Sequence, residues 1–176
     1  MKDFKVANIK ISVKISTINY QDIINKVEFQ THNKNLNFIT FFLKFTYTFF
    51  KPNSKGEIHC NITKIRTFTE INCAINLLSS LFPSADLRNL KIDNITSSAR
   101  CDKKQNLHDL FFKLSPQYDL KYNLQKFPAV FIKVPIDNVI LTVFIFSSGK
   151  VICVGAKSEH QVKLVSIWVN EKINKN

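Results

Sequence analysis

One segment near the C-terminus carries the clearest structural signal, and it reads Phe144-Ile145-Phe146-Ser147-Ser148-Gly149-Lys150-Val151-Ile152-Cys153-Val154-Gly155-Ala156-Lys157-Ser158-Glu159. The Ser-Ser-Gly turn separates two apolar runs, which predicts a β-hairpin with strands over 139–146 and 150–155. Ser158 is placed to cap a helix that runs towards Ile173. Both alternating sets of side chains in the two strands are apolar, so one apolar set has to face away from the helices. An exposed apolar sheet face predicts a binding surface, unless a second layer or another subunit covers it.

The chain also contains an internal repeat of four blocks that occur in the same order in each half. Residues 6–9 are matched by 92–95, residues 19–26 by 106–113, residues 38–44 by 127–133, and Thr69-Glu70 by Ser158-Glu159. The repeat predicts two homologous halves, residues 1–87 and residues 88–176.

Each half is expected to contain a strand, a short helix, a polar stretch, several antiparallel strands and a final helix. In the first half the strand covers 4–15, the short helix 20–27, the polar stretch 32–37 and the final helix Thr69–Leu81, which Pro83 ends. In the second half the strand covers 90–98, the short helix 106–114, the polar stretch 115–125 and the next strand 127–134. This order predicts an α+β fold in which helices cover one face of a curved antiparallel sheet.

The net charge of the chain is strongly positive. Lys and Arg total 25 against 13 Asp and Glu, which gives a formal charge of +12, and a cut after Arg88 leaves +6 on each side. Such a surplus predicts a polyanionic partner. The alternative is a solubility effect in a chain whose Lys, Asn, Ile and Phe content is typical of an AT-rich coding sequence.

The sequence contains no pattern that indicates catalysis. The 4 Cys and 4 His are dispersed without metal-ligand spacing, and the 3 Gly form no phosphate-binding loop. We therefore expect no catalytic residue, no metal, no cofactor and no small-molecule substrate. The longest apolar stretch is too short to cross a membrane, and the N-terminus lacks the apolar core of a secretory signal. We expect a soluble intracellular protein without a membrane partner.

Three motifs of the second half occur together in one known family. They are Phe127-Pro128-Ala129-Val130-Phe131-Ile132-Lys133, the string from Ser148-Gly149-Lys150 to Gly155-Ala156-Lys157-Ser158-Glu159, and Asn94 within Ile92-Asp93-Asn94-Ile95. Through them the region from Leu90 to Ile173 resembles a lobe of the TATA-box-binding protein family, whereas the first half resembles such a lobe faintly. The resemblance implies a two-lobed, pseudo-symmetric saddle. Its concave sheet face is expected to bind the minor groove of AT-rich promoter DNA and to bend it by phenylalanine insertion.

In the second lobe, the resemblance implies a DNA-binding role for a set of residues on one face. Phe127 and Phe146 are the inserting pair, and Asn94 hydrogen-bonds the acceptors of the bases. The expected groove contacts are Phe144, Ile152, Val154 and Thr96, and the lysines expected at phosphates are Lys133, Lys150 and Lys157. An apolar groove surface discriminates against G·C pairs, because only these place an amino group in the minor groove.

In the first lobe, the correspondence is less complete. Asn8 matches the paired asparagine, and Phe38 matches the first inserting phenylalanine, with Phe42 as a competing position. The second inserting residue stays open, since the strand with His59 offers no phenylalanine. Lys10 stands where a groove valine belongs, and the string from Ser148 to Glu159 has no counterpart in this half. We therefore expect DNA binding that is asymmetric and weaker in sequence preference.

Arg66 and Phe68 are the other candidates in the first lobe. The alternation in this segment would pack Ile65 and Thr67 under the helices. That leaves Arg66 and Phe68 on the concave face, because burying an unpaired arginine is costly.

The resemblance implies partners as well: AT-rich double-stranded DNA, initiation factors related to transcription factors IIA and IIB, and RNA polymerase. It also implies a nucleus, or a nucleus-like compartment or viral factory. The acidic IIB-binding loop of the family is replaced by the acid-free residues 122–126, and Thr69–Leu81 carries only Glu70 where the family helix is basic. The alternatives are a degenerate interaction protein with weak or no DNA binding, and an accessory lobe of an enzyme.

Overall fold

The computed structural model describes residues 2–26, 37–123 and 125–174. Within these ranges the chain forms nine β-strands and four α-helices, and a π-helical segment, Asn170–Asn174, continues the last helix. The strands are β1 Lys2–Ser16, β2 Phe38–Phe42, β3 Thr46–Phe50, β4 Ile58–Ile65, β5 Asp86–Arg100, β6 Asp119–Tyr122, β7 Ala129–Ile136, β8 Val139–Phe146 and β9 Lys150–Ala156. The helices are α1 Tyr20–Lys26, α2 Thr69–Leu81, α3 Leu107–Leu114 and α4 Glu159–Val169.

The strands follow the order β2-β3-β4-β1-β5-β9-β8-β7-β6, and neighbours in this order are hydrogen-bonded. The chain divides into two compact units, which we call the N-terminal unit (Asn8–Asp93) and the C-terminal unit (Met1–Ala7 with Asn94–Asn176). Strands β1 and β5 therefore each contribute residues to both units. The predicted halves meet at residue 87, whereas the compact units change over inside β5.

The core of the N-terminal unit lies between the sheet and helix α2. Strand β4 alternates between buried and partly exposed residues, so that Ile58, Cys60 and Ile62 face the core. Helix α2 contributes Ala74, whose carbonyl oxygen accepts a hydrogen bond of 3.0 Å from the Tyr47 hydroxyl. Because a large apolar side chain contributes about 1.5–3 kcal/mol when fully buried, this row fixes which face of each strand is covered.

The core of the C-terminal unit follows the same plan with two helices, because α3 packs on β6 and β7 while α4 packs on β7 and β9. Val143 and Ile145 of β8 are fully buried, while Phe144 and Phe146 between them remain partly exposed. At the edge of this core the Trp168 indole Nε1 donates a hydrogen bond of 3.0 Å to the Tyr118 hydroxyl. The covered face is thus β-branched and aliphatic, and the aromatic residues of β8 lie on the other face.

Matching side-chain contacts fix the starts of helices α2 and α4. Before α4, Ser158 Oγ accepts from the backbone N–H of Gln161 at 3.2 Å, and Gln161 Oε1 accepts from the backbone N–H of Lys157 at 2.7 Å. Before α2, Thr67 Oγ1 accepts from the backbone N–H of Glu70 at 3.3 Å, and the Glu70 carboxylate accepts from the next backbone N–H upstream of Thr67 at 2.8 Å. Both resemble a capping box and are given that name below, but the second acceptor binds the N–H of the residue before the cap instead of the N–H of the cap itself. The cap predicted at Ser158 is confirmed.

Most element predictions agree with the structure within a few residues. Helix α2 has the predicted bounds, whereas the α-helix predicted from 158 ends at Val169 and continues as the π-helical segment. The polar stretch 115–125 contains strand β6, which the sequence prediction missed because its pattern is short and lies at a sheet edge. The predicted helix end at Val27 and the stretch 32–36 lie outside the described residues.

Candidate nucleic-acid interface

Each unit has an open sheet face, by which we mean the face opposite the helices. In the C-terminal unit this open face is mostly apolar. It is formed by partly exposed side chains of four strands, namely Thr96, Phe131, Phe144, Phe146, Ile152 and Val154. The predicted groove contacts of the second lobe therefore share one surface.

An aromatic cluster lies at one end of this open face. The Phe127 ring, 38% exposed, has its centroid 5.0 Å from that of Phe131, 5.8 Å from that of Phe146 and 6.2 Å from that of Phe144. The Phe131 and Phe144 rings are 4.8 Å apart. Such contacts contribute about 0.5–1.5 kcal/mol per pair beyond burial. They hold Phe127 just before the start of strand β7 while leaving part of its ring accessible.

Asn94 is held in one orientation by two hydrogen bonds. Its Oδ1 accepts from the backbone N–H of Gly155 at 2.8 Å, and its Nδ2 donates to Thr96 Oγ1 at 3.2 Å. In the N-terminal unit, Asn8 Oδ1 accepts in the same way from the backbone N–H of Lys64 at 2.8 Å. Gly155 and Lys64 both have positive φ, +111° and +66°. In each unit the asparagine is thus fixed by a backbone N–H of positive φ near the end of a strand, and its Oδ1 is occupied. Asn94 keeps its second amide N–H to donate, because the first is bound to Thr96.

Three lysines rim the C-terminal open face. Lys133, Lys150 and Lys157 are all exposed, and Lys133 Nζ lies 3.2 Å from Asp119 Oδ2. An exposed ion pair of this kind contributes about 0–1 kcal/mol, so Lys133 can exchange its partner for a phosphate at little cost.

In the N-terminal unit the structure gives a candidate for the second aromatic residue, which the sequence left open. Phe38 of β2 lies directly opposite Phe50 of β3, and the ring centroids are 6.0 Å apart. His59 lies on β4 opposite Lys14 and is not the partner. Phe42, the competing position, lies at the other end of β2, where Lys64 Nζ approaches its ring to 5.3 Å. The alternation in Thr46-Tyr47-Thr48-Phe49-Phe50 was the signal that could have found Phe50.

The alternation that placed Arg66 and Phe68 on the concave face does not hold, because neither residue is part of a strand. Strand β4 ends at Ile65, which is buried as predicted, and both residues follow it in the segment that leads into α2. Thr67, predicted to be buried, is exposed, because its hydroxyl caps the helix. The open-face positions of β4 are instead His59, Asn61 and Thr63.

Arg66 nevertheless has a counterpart in the C-terminal unit. Its backbone N–H donates to Glu70 as that of Lys157 donates to Gln161, and both cationic side chains are exposed. Arg66 is therefore a candidate for the rim of the N-terminal open face.

Two further observations concern other kinds of site. In the described part of the chain, none of the helices combines the length and the apolar character needed to cross a membrane. Across the same ranges, His, Cys, Asp and Glu side chains form no group of three or more suited to a metal ion.

Comparison with known proteins gives the family. The family model described as transcription factor TFIID, or TATA-binding protein (TBP), matches residues 89–175. The TATA-box-binding proteins of Picrophilus torridus and Thermoplasma acidophilum are each 25% identical over 125 residues, which is 68% of this chain and 65% of theirs. That of Methanobrevibacter smithii is 29% identical over 116 residues, 63% of this chain and 60% of the relative. This chain is a divergent member of the TATA-binding protein family.

The fold of the whole chain matches the same family. The solved structure of Methanococcus jannaschii TBP aligns with 99% of this chain and 100% of its own, with a TM-score of 0.76 at 21% identity. This likeness confirms the predicted α+β fold class. The alignments with the first archaeal relatives span 65% of the length of those proteins.

Proposed function

We propose that this TBP-family chain is a general transcription initiation factor that binds AT-rich promoter DNA in the minor groove and bends it by inserting phenylalanines. The observation that carries the proposal is the aromatic cluster around Phe127, which stands partly exposed at the end of an apolar open sheet face. A soluble protein rarely leaves such a surface without a ligand. In this proposal Phe127 and Phe146 wedge into a base step and replace part of the stacking that the kink removes.

The side chains of the C-terminal open face are chemically suited to A·T base pairs rather than to G·C base pairs. In the minor groove A·T pairs offer only acceptors, whereas a G·C pair adds the guanine N2 amino group. Phe144, Ile152 and Val154 offer no acceptor to that group, and their side chains occupy the space it would need. Asn94 has one amide N–H that is not bound to Thr96, and a donor at this position suits the A·T acceptors.

The charge of the chain supports DNA as the partner. The formal charge of +12 and the lysine rim favour a polyanion, and neutralised phosphates release counterions. We expect Lys133, Lys150, Lys157 and Arg66 to contact phosphates.

The protein partners and the compartment are part of the same proposal. Factors related to IIA and IIB and an RNA polymerase are expected to assemble on the DNA complex. The acid-free segment before Phe127 and the helix α2, with Glu70 as its charged residue, indicate that these contacts differ from those of the family. We expect the protein to act in a nucleus, a nucleus-like compartment or a viral factory.

Titrations of labelled duplexes at two salt concentrations test the proposal. We expect tighter binding to AT-rich than to GC-rich duplexes, with an affinity that falls steeply as salt rises. Lys133→Ala should lower the salt slope by about one. Lys163→Ala is a matched control, because Lys163 lies on helix α4 in an ion pair of 3.1 Å with Glu159, and it should leave the slope unchanged. Equal affinity for both duplexes, or no salt dependence, would count against minor-groove binding.

A further inference from the structure

The open faces of the two units differ in the row of residues beside the aromatic end. In the C-terminal unit, strand register places Phe131, Phe144, Ile152 and Ser98 side by side across β7, β8, β9 and β5. In the N-terminal unit, register places Thr40, Thr48, Asn61 and Ser12 side by side across β2, β3, β4 and β1. Three of the four positions in the first row are apolar, and all four in the second row are polar.

The N-terminal row is rich in hydrogen-bond acceptors. Thr40 Oγ1 and Thr48 Oγ1 lie 3.3 Å apart and share one hydrogen bond, so lone pairs remain on both hydroxyls. Among the residues the structure describes, the Asn61 side chain makes no hydrogen bond, and its amide oxygen is available to accept. At the end of the row, Ser12 Oγ donates to Asp93 Oδ1 at 3.0 Å, which adds a carboxylate to the same surface.

The charge of this carboxylate is balanced locally. Lys10 Nζ lies 3.8 Å from Asp93 Oδ2, and Lys91 Nζ lies 3.7 Å from its Oδ1. Ser12, Asn61 and Asp93 line a recess of about 320 Å³ in the open face. The two lysines offset the repulsion that an unpaired carboxylate would exert on DNA phosphates.

These acceptors match the one donor that distinguishes G·C pairs in the minor groove. In the C-terminal row the guanine N2 amino group meets carbon at Phe131, Phe144 and Ile152, and Ser98 is the one side chain of that row with an acceptor. In the N-terminal row all four side chains carry oxygens that can accept a hydrogen bond. We propose that the N-terminal unit accepts guanine in its half of the DNA site through Asn61 and Thr48, whereas the C-terminal unit is restricted to A·T pairs. This inference rests on the proposed function and specifies its sequence preference.

A set of duplexes that differ at single positions tests this asymmetry. A reference duplex with only A·T pairs is compared with duplexes carrying one G·C or one inosine·C pair at each position in turn. Inosine lacks the N2 amino group, so the ratio of the G·C and inosine·C affinities isolates that group. We expect the N2 amino group to weaken binding by about tenfold or more at the positions contacted by the C-terminal unit. At the positions contacted by the N-terminal unit we expect it to weaken binding by less than about threefold.

Exchanging the residues of the two rows assigns each half-site to a unit. Asn61→Ile should extend the discrimination against guanine to the tolerant half, and Ile152→Asn should relax it in the strict half. Equal discrimination in both halves of the site by the parent protein would overturn the inference alone, and this comparison needs no variant. Both variants affecting the same half would also overturn it. A failure to bind the all-A·T duplex would instead overturn the proposed function, and the inference with it.

Discussion

Removal of the inserting pair in the C-terminal unit is the sharpest test of how this protein would deform DNA. The double variant Phe127→Ala with Phe146→Ala deletes two rings whose centroids are 5.8 Å apart at the end of the open face. Stacking on an aromatic side chain contributes about 1–3 kcal/mol per base, so the pair accounts for about 2–6 kcal/mol. The Kd should therefore rise by about 30-fold or more, since 1.4 kcal/mol corresponds to tenfold.

The cost to the fold should be smaller than the cost to binding. Truncation of a fully buried phenylalanine costs about 3–5 kcal/mol, but Phe127 is 38% exposed and Phe146 is also partly exposed. We expect the double variant to unfold cooperatively at a modestly lower temperature. Phe112→Ala is a control for loss of an exposed aromatic residue, because Phe112 is 60% exposed on α3 and packs on His108 at 4.6 Å.

Energy transfer between dyes at the two ends of a duplex measures the bend directly. At saturating protein, we expect the double variant to leave the duplex nearly straight at the end it holds, while Lys133→Ala binds more weakly but bends the bound DNA as the parent does. Phe38→Ala with Phe50→Ala should reduce the bend at the other end, since these two rings face each other in the N-terminal unit. If the Phe127 and Phe146 variant bends saturated DNA as well as the parent, phenylalanine insertion is not the mechanism.

Three further predictions concern the fold. The backbone N–H of Arg66 donates to the Glu70 carboxylate and holds the pKa of Glu70 below its ordinary value of 4.5. The stabilisation that this hydrogen bond gives the folded protein is therefore present above pH 4.5 and is lost as the pH falls through the lower pKa of the folded state. Glu70→Gln should remove this acid-dependent part of the stability in urea titrations, and the cap with Gln161 should show no such dependence. Of the 4 Cys, we expect only the exposed Cys73 to react rapidly with a thiol reagent at pH 8. The other three are buried, and burial raises their thiol pKa values. Reaction of more than one thiol before the protein unfolds would contradict this. Gly56→Ala should lower the free energy of unfolding by about 1 kcal/mol, and Gly149→Ala should lower it further. Both glycines have positive φ, but only at Gly149 would a Cβ lie 2.7 Å from a backbone oxygen. Equal shifts in the melting temperatures of the two variants would contradict this.

The buried half of the structure could be predicted well from the sequence. An uninterrupted apolar run, such as Val143-Phe144-Ile145-Phe146, indicates that both faces of a strand are apolar. A helix start such as that at Ser158 is marked by a local capping pattern. Helix α2 was predicted with its observed bounds because Pro83 and the apolar spacing mark its end. These features depend on neighbours in sequence, so a single chain is sufficient to find them.

The open face of the N-terminal unit could not be predicted to the same extent. Phe50 lies opposite Phe38 because of the pairing register of β2 and β3, and this register could not be derived from the sequence. Strand β4 ends one residue after Lys64, a non-glycine residue at φ +66°, whereas the predicted alternation continued past it to Arg66 and Phe68. Positions set by pairing across strands need the structure, and these are the positions that contact a ligand.

The two units indicate which features of a lobe the fold requires and which are free to change. Asn8 and Asn94 both accept from a backbone N–H at 2.8 Å, although the donors are Lys64 and Gly155, which share a positive φ but not a side chain. The capping boxes are likewise retained with different residues. The backbone geometry is therefore preserved where it shapes the end of the sheet. The side chains of the open face contribute little to the core. The difference between Ile152 in one unit and Asn61 at the corresponding position of the other therefore costs the fold little and alters mainly what the face can bind.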